Sequence, residues 1–456
     1  MTSLNFRSWM RRTAVRWVAG GILLIAIMAF ILLAVLNSAA GVRVVETFPQ
    51  NGGEIGARGR VGITFNQLMQ VDSLASLFEI QPRIPGKIEW KGNTLWFIPS
   101  KALEPGLTYI VEVRPGGVAK TGRKLTTAIR FSVRVRPAEA LYLSIQDRKT
   151  DLWRQSLTGA LVQLTHTGGT VYDFAPSPDG ERIAYSAAND QGGFDLWLIQ
   201  RDGSQNHRLA ACAADRCIQP AWNPNGERII YSRQQSKQGE AAGGPQGGLY
   251  ELVVASGKST FLFPGTSPSF SPDGQWLTSG EPSLGVISLY NQQTGERVQI
   301  QGSLSQVPTW YPDSSKMLYS ILSTADGAPQ ENVYEIDFGE KKVSRLWKED
   351  ANLVEYSLPA VSPDGQLLVT SLHLLSGGQT KQLWLFDQNG KKLKAITQDE
   401  LFNNSAFSWD PWGKSILFQQ IHFGSSDAQP QVMIWDLQSG QTRTLAQGGV
   451  LPAWLP

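Results

Sequence analysis

The sequence predicts an all-β protein in which a seven-bladed β-propeller follows an Ig-like β-sandwich and one N-terminal transmembrane helix. Three observations predict this fold class: a Pro-Asp-Gly turn motif that recurs along the later part of the chain, short runs of alternating apolar and polar residues before it, and one long uncharged apolar run near the N-terminus. With 45 Gly, 25 Pro and 15 Trp among 456 residues, the composition is typical of short strands joined by tight turns.

The N-terminal apolar run spans residues 18–36 (VAGGILLIAIMAFILLAVL) and contains no charged side chain. A helix of this length covers about 28 Å, close to the hydrocarbon thickness of a bilayer. Because arginines precede the run, we expect residues 1–17 to be a cytoplasmic basic tail, 18–36 to be an uncleaved anchor, and the remainder to be extracytoplasmic. The alternative is a cleaved signal peptide, since small residues follow in NSAAG. The run is, however, longer than the about 7–15 apolar residues of most signal peptides.

The net charge of +2 is unevenly distributed along the chain. Residues 1–45 contain five arginines and no acidic residue, so the rest of the chain has a net charge of −3. Charged residues make up 18% of the sequence and form no long basic run. Because proteins that bind nucleic acids present a basic patch or stripe, we expect no nucleic-acid partner.

The turn motif repeats at intervals of 40 to 51 residues, as its prolines show: Pro178, Pro224, Pro272, Pro312, Pro363 and Pro411. Each repeat contains runs typical of four short strands, which is the content of one propeller blade. Pro fixes φ at the first corner of such a turn, Asp accepts hydrogen bonds from backbone amides, and Gly adopts positive φ. These properties predict a structural role in the blade turns for Asp179, Asn225, Asp273, Asp313 and Asp364. Calcium ligation or acid catalysis is the alternative, which their repetition in nearly every repeat disfavours.

Six complete repeats leave incomplete strand sets at both ends of the repeat region. Residues 140–165 contain a second, third and fourth strand without a first one, and the chain ends on VLPAWLP, a first strand without successors. Joined, they complete a seventh blade, and closure removes the unpaired edges of an open ring. The third motif position carries an aromatic residue expected to wedge between blades, with ligand stacking as the alternative. The aromatic residues at this position are Trp222, Phe270, Trp310, Trp409 and Trp454.

The sequence therefore divides into a β-sandwich over residues 42–136 and a propeller over residues 138–456. Residues 44–135 resemble a bacterial Ig-like domain of the surface-layer (SbsA) type, through FPQNG, ITF, GNTLWFIP, LEPGLTY and FSV. The propeller region resembles the TolB-type PD40 (WD40-like) repeat proteins, through SPDG and DLW. These resemblances imply a bacterial envelope protein, and with the apolar run they place the chain in the bacterial cell membrane as a single-pass protein.

No motif of a known catalytic class occurs in the sequence: there is no GxSxG elbow, HExxH helix, Walker loop or dinucleotide fingerprint. We therefore predict no catalytic residue, no cofactor and no metal site. Cys212 and Cys217, in CAADRC, are candidates for a local disulfide outside the cytoplasm, with two free buried thiols as the alternative. Asp173 is the one acidic residue close to an inner strand, and we expect it to be a solvated or turn residue.

Long connections of variable sequence are expected on one face of the propeller: residues 234–248, 323–332, 373–381 and 422–431. Because binding residues concentrate on loops held by a rigid scaffold, we expect this face to hold a protein, peptide or glycan partner. The alternative is that these loops are tolerated insertions. The sequence thus favours a membrane-anchored binding or scaffold protein that is not an enzyme. A lactonase- or lyase-type propeller with a metal in its central channel, and a purely structural envelope protein, are the alternative functions.

Overall fold

The computed structural model describes residue 28 and residues 41–146, 149–236, 247–303, 306–325, 328–347, 354–374, 378–425 and 428–456. The predicted cytoplasmic tail (1–17) and, apart from residue 28, the predicted transmembrane helix (18–36) lie outside these ranges. Within them, no helix has the length and apolar character needed to span a bilayer. Strands dominate the described residues, so the all-β class is confirmed.

Contacts divide the chain into two compact units. The first comprises the described part of Met1–Gly53 together with Arg60–Ile98 and Thr108–Val133. The second comprises Glu54–Gly59, Pro99–Leu107 and Arg134–Pro456. Two short segments inside the predicted sandwich range therefore belong, by their contacts, to the second unit.

The predicted sandwich region forms two four-stranded sheets, with strand orders β1-β3-β6-β5 and β2-β8-β7-β4. Their strands are β1 (Val44–Phe48), β2 (Gly53–Ile55), β3 (Val61–Phe65), β4 (Phe78–Gln81), β5 (Gly86–Lys91), β6 (Thr94–Pro99), β7 (Thr108–Val113) and β8 (Ile129–Val135). One short helix, α1 (Asp72–Ala75), lies between β3 and β4. Alternate residues are buried along β7 (Tyr109, Val111 and Val113), the pattern of a strand with one face on a sandwich core.

The remaining strands form antiparallel groups that follow one another along the chain. The first group contains β9 (Glu139–Gln146), β10 (Lys149–Ser156), β11 (Leu161–Gln163) and the last strand of the chain, β37 (Gly449–Leu455). The second contains β12 (Val171–Pro176), β13 (Arg182–Ala188), β14 (Phe194–Gln200) and β15 (His207–Ala210). The third contains β16 (Arg216–Trp222), β17 (Arg228–Gln234), β18 (Gly248–Val253) and β19 (Lys258–Phe263).

Four further groups complete the described strands. The fourth contains β20 (Thr266–Phe270), β21 (Trp276–Glu281), β22 (Val286–Asn291) and β23 (Arg297–Gln301). The fifth contains β24 (Thr309–Trp310), β25 (Lys316–Ala325), β26 (Ala328–Asp337) and β27 (Lys342–Arg345). The sixth contains β28 (Val354–Tyr356), β29 (Ala360–Val361), β30 (Leu367–Leu374), β31 (Gln382–Asp387) and β32 (Lys392–Ala395). The seventh contains β33 (Phe402–Trp409), β34 (Ser415–His422), β35 (Gln431–Asp436) and β36 (Thr442–Gln447).

Hydrophobic clusters join each group to the next. Tyr185 and Leu152, for example, lie in a cluster shared by the first and second groups, and further clusters join the later neighbours in turn. A last cluster joins the seventh group to the first, through Leu417, Tyr142 and Trp454. The apolar cores therefore follow the order of the groups and return to the start.

The C-terminal strand β37 pairs antiparallel with β9, as the sequence predicted. Trp454 lies opposite Ala140 and Leu455 opposite Glu139, with a bulge between Val450 and Ala453. The Trp454 ring is 7% exposed, and its Nε1 donates a hydrogen bond to the Ser408 carbonyl at 3.2 Å. Residues separated by almost the whole repeat region thus share one sheet.

Arg201 reinforces this junction from the second group. Its Nη2 lies 2.5 Å from Glu139 Oε2 on β9, and its Nη1 donates to the carbonyls of Gly180 and Pro456 at 3.0 and 3.3 Å. Arg154 Nε lies 3.6 Å from the same Glu139 carboxylate. These contacts join β9, β10 and the turn after β14 to the residue that follows β37, so charged groups as well as apolar ones hold the last strand in place.

Replacing Trp454 with alanine should strongly destabilise the second unit. Truncating a buried tryptophan typically costs about 3–5 kcal/mol, and here it also removes the hydrogen bond to Ser408. Leu393→Ala is the matched control, because Leu393 is 49% exposed on the outer strand β32. Urea unfolding should show a much lower midpoint for Trp454→Ala and a near-native midpoint for the control. Equal midpoints for both variants would contradict the proposed packing.

Candidate functional site

One face of the second unit collects the connections between second and third strands and between successive groups. Antiparallel pairing brings these connections to the same end, as Phe402 at the start of β33 pairs with His422 at the end of β34. We call this end the loop face. Of the predicted loops, residues 237–246, 326–327, 375–377 and 426–427 lie outside the described residues.

The loop face carries exposed apolar side chains contributed by several groups. They are between 37% and 61% exposed, and they comprise Tyr172, Leu284, Val307, Leu322, Leu401, Ile421, Phe423 and Leu451. Four other large apolar residues exposed in the strand groups lie on outermost strands or their turn: Leu161, Val298, Val343 and Leu393. Isolated exposed apolar residues are ordinary, but a set concentrated at one face is typical of an interaction surface.

The first strands of several groups are bulged at the same position, near the loop face. Register shifts occur in β12, β16, β20, β33 and β37. At the bulge, Gln219, Ser267, Ala406 and Leu451 have φ between 47° and 58°. A bulge interrupts the ladder and leaves backbone groups that need other partners.

Side chains from neighbouring groups supply those partners. Gln219 N donates to Asp173 Oδ2 at 2.6 Å, and Ser267 N donates to Gln219 Oε1 at 2.9 Å. Leu451 N donates to Gln419 Oε1 at 2.8 Å, and Leu358 N to Gln306 Oε1. Each bond links one group to the next, so a belt of side-chain carbonyl oxygens fixes the inner strands. Residue type and spacing did not predict this belt, although a polar residue recurs close to the bulge.

Asp173 corrects one expectation from the sequence, because it is neither a solvated nor a turn residue. It lies on β12, and its Oδ1 is shut off from solvent. Burial raises the pKa of Asp173, and the Ser186 hydroxyl, the Gln219 amide and the Arg216 charge offset part of the rise. The Arg216 guanidinium lies over the rings of Tyr172 and Phe194, 5.0 and 4.9 Å from their centroids.

The turn residues singled out in the sequence accept hydrogen bonds from within their own turns. Asp179 Oδ1 accepts from Ser177 Oγ at 2.6 Å and from Glu181 N at 3.1 Å. The corresponding bonds to Asn225, Asp273, Asp313 and Asp364 measure 2.5 to 3.1 Å. In these turns the side chains therefore hold the backbone, on the face opposite the loops.

The aromatic residues at the third motif position contact protein rather than solvent. Trp222 Nε1 donates to the Ala175 carbonyl at 2.9 Å and Trp409 Nε1 to the Ala360 carbonyl at 3.1 Å, in each case in the preceding group, as Trp454 does with Ser408. Trp310 stacks on Phe338 with ring centroids 5.4 Å apart. Phe270 packs against the cluster of Ile230, Leu249 and Leu277.

A disulfide joins Cys212, in the connection that leads into β16, to Cys217 on β16, with Cα atoms 6.1 Å apart. Both cysteines are buried. The Cys212 amide donates to Asp195 Oδ1 at 2.8 Å, and Arg233 Nε lies 2.8 Å from Asp215 Oδ2 inside the CAADRC loop. The disulfide and these charges together hold this part of the loop face.

No group of three or more His, Cys, Asp or Glu side chains within the described ranges is placed to hold a metal ion. The loop face combines exposed apolar residues with a rigid belt behind them. This arrangement can bind a partner by complementary shape.

Comparison with known proteins supports the two-part organisation. Residues 39–133 match the family of bacterial Ig-like domains. A search of the curated proteins finds no match for the chain. Among solved structures, the chain is similar to TolB from Acinetobacter baumannii, with 18% identity, coverage of 70% of this chain and 83% of that one, and a TM-score of 0.41.

Two further solved structures are similar to the chain. A puromycin-hydrolysing peptidase from Mycobacterium tuberculosis has 15% identity, with 68% of this chain and 53% of that one covered, and a TM-score of 0.50. The β-propeller domain of the Trilobed protease from Pyrococcus furiosus has 13% identity, with 75% and 93% covered, and a TM-score of 0.48. Sequence identities this low support a similarity of fold alone.

The chain is a β-propeller protein with a bacterial Ig-like domain before the propeller. The Ig-like resemblance predicted from the sequence is confirmed by the match over residues 39–133, and the solved structures similar to the chain include TolB and other propeller proteins. The strand groups of the second unit are accordingly called blades below.

Asp173→Asn should change how stability depends on pH. Asparagine keeps an acceptor for the Gln219 amide but removes the carboxyl whose pKa burial raises. A raised folded-state pKa means that the folded protein binds this proton more tightly than the unfolded chain does. The stability contributed by protonated Asp173 is therefore present at low pH and is lost as the pH rises through the raised pKa.

Urea unfolding at a series of pH values measures this effect. The free energy of unfolding of the wild type minus that of Asp173→Asn should fall from acidic towards neutral pH. Asp190→Asn, on an exposed turn, shows the effect of removing a surface carboxylate. A difference for Asp173→Asn that does not vary with pH would contradict the burial of a titrating carboxyl at this position.

Proposed function

We propose that the protein is an extracytoplasmic binding module, anchored in a bacterial membrane by residues 18–36, whose loop face holds a polypeptide partner without catalysing a reaction. The observation that carries the proposal is the concentration of exposed apolar side chains on the loop face. Three further features support it: the apolar run behind the arginines, the disulfide, and the Ig-like domain between anchor and propeller.

The binding frame in this proposal is a closed ring of seven blades. Seven strand groups, the inter-group clusters and the β37–β9 pairing all support this number. In a closed ring each blade is held on both sides, so loops from several blades keep fixed positions relative to one another. Such a frame suits recognition of a folded or extended polypeptide by several loops together.

The extracytoplasmic location in the proposal rests on two physical arguments. Disulfides persist in oxidising compartments and are rare in the cytosol, and Cys212 and Cys217 are joined. Arginines before an apolar run stay on the cytoplasmic side, which puts the propeller on the other side. The Ig-like domain then separates the propeller from the membrane along the chain.

A polypeptide fits the loop face better than a glycan, because aliphatic side chains predominate there. Leu284, Leu322 and Leu401 are each more than half exposed and offer no hydrogen bonds. Protein interfaces bury apolar cores of this kind within polar rims. Two charged pairs near the face, Arg233–Asp215 and Lys381–Glu355, are already matched within the chain.

Two pairs of substitutions, matched in type, test the proposal. Ile421→Ser with Phe423→Ser removes two apolar side chains from the loop face, and Val298→Ser with Val343→Ser removes two from outer strands. Burying one such side chain contributes about 1.5–3 kcal/mol, so the loop-face pair should weaken partner binding at least tenfold. Quantitative capture from membranes of the native host, followed by titration of the captured partner, measures this loss of binding.

The outcomes of this experiment separate the candidate functions. Retention of the partner by the Val298 and Val343 variant, with loss by the Ile421 and Phe423 variant, supports binding at the loop face. Equal capture by both variants overturns that assignment. Failure of the wild type to capture any partner supports the purely structural envelope role instead.

A further inference from the structure

A pocket of about 180 Å³ opens at the loop-face end of the sixth blade. It lies between β30, β31 and the connection from β32 to β33. Its polar and aromatic lining comes from Thr380, Gln382, Trp384, Thr397, Gln398 and Glu400. None of these residues belongs to the exposed apolar set of the loop face, so the pocket is a separate feature of that face.

Trp384 supplies an aromatic wall. It lies on β31, where it is partly buried against the cluster that contains Phe386 and Leu372. Lys392 Nζ lies over one face of the indole ring, 4.5 Å from its centroid. Because the ring packs on the blade core, its position is set before any ligand arrives.

Hydrogen bonds within the chain fix the floor of the pocket. Gln382 Nε2 donates to Thr380 Oγ1 at 2.9 Å and to the carbonyls of Asp399 and Phe402 at 3.0 Å. Thr397 Oγ1 accepts from the Leu383 amide at 2.9 Å. These bonds tie the β32–β33 connection to β31, so the backbone carrying the remaining lining residues is held in place.

The side chains of Gln398 and Glu400, in contrast, are available for hydrogen bonds with a ligand. Neither side chain has a hydrogen-bond or ion-pair partner among the described residues, and both are exposed. A carboxamide can donate and accept, and a carboxylate can accept from two directions. The pocket thus presents an indole ring, an amide and a carboxylate that are free to contact a small molecule.

We propose that this pocket binds one neutral sugar ring. The C–H face of a sugar can pack on the part of the Trp384 indole that lines the pocket, while its hydroxyls donate to Glu400 and exchange hydrogen bonds with Gln398. The volume lies below the roughly 300–1,000 Å³ of drug-sized sites, which fits a single ring. The Lys392 ammonium would repel a cationic ligand and the Glu400 carboxylate would repel an anionic ligand, so electrostatics favour a neutral ligand. This inference does not depend on the polypeptide partner.

Ligand-observed NMR on the purified full-length chain tests the inference. The neutral probes are glucose, galactose, mannose and N-acetylglucosamine, and the charged probes are choline and galacturonate. We expect at least one neutral sugar to bind with a dissociation constant on the order of 1 mM, as suits a small ligand with few contacts. Gln398→Ala with Glu400→Gln should weaken that binding at least tenfold, and both positions are exposed, so folding is not at risk.

Two control variants make each outcome decisive. Gln293→Ala with Glu296→Gln makes the same chemical changes on an exposed turn of the fourth blade and should leave sugar binding unchanged. Ile421→Ser with Phe423→Ser, which tests the polypeptide site, should also leave it unchanged. The inference is overturned if no neutral sugar binds at a sugar concentration ten times the expected dissociation constant, or if only choline or galacturonate binds. It is also overturned if the pocket variant binds sugar as tightly as its control variant does.

Discussion

The pairing of β37 with β9 is the constraint on which the second unit depends. Every blade but the first takes its strands from one stretch of chain, whereas the first takes its inner strand from the C-terminus. Without that strand, β9 would expose an unpaired edge and the cluster around Tyr142 and Leu417 would lose Trp454. The contacts of Arg201 with Glu139 and Pro456 act at the same junction. In the proposed closed ring, the relative position of the loops follows from this one pairing.

The same two kinds of hydrogen bond recur between neighbouring blades, although different residues form them. An indole donates to a carbonyl of the preceding blade at Trp222, Trp409 and Trp454, and side-chain carbonyls from one blade satisfy bulge amides in the next. The indole contacts lie towards the turn face, and the bulge contacts lie on the inner strands. The exposed apolar residues and the Trp384 pocket lie on the loop face.

Local sequence predicted those features that depend on local chemistry. The Pro-Asp-Gly turns, the packing tryptophans and the short strands follow from residue type and spacing, and the truncated last motif predicted its pairing with the strand near Tyr142. Features that depend on bulges were not predicted. The Gln219 amide lies at a bulge and donates a hydrogen bond to Asp173 in the neighbouring blade. Residue type and spacing do not reveal this contact, so Asp173 was wrongly expected to be solvated. The Trp384 pocket was not predicted because Gln398 and Glu400 belong to no recognisable sequence motif.

Hydrogen–deuterium exchange of the peptide covering residues 449–456 tests the central pairing most directly. If β37 closes the ring, those of its amides that hydrogen-bond to β9 should exchange far more slowly than the amides of an unstructured peptide, because a paired strand exchanges only when its sheet opens. Exchange at the rate of an unstructured peptide, while β17 stays protected, would show that the last strand is not part of the sheet and would contradict the account.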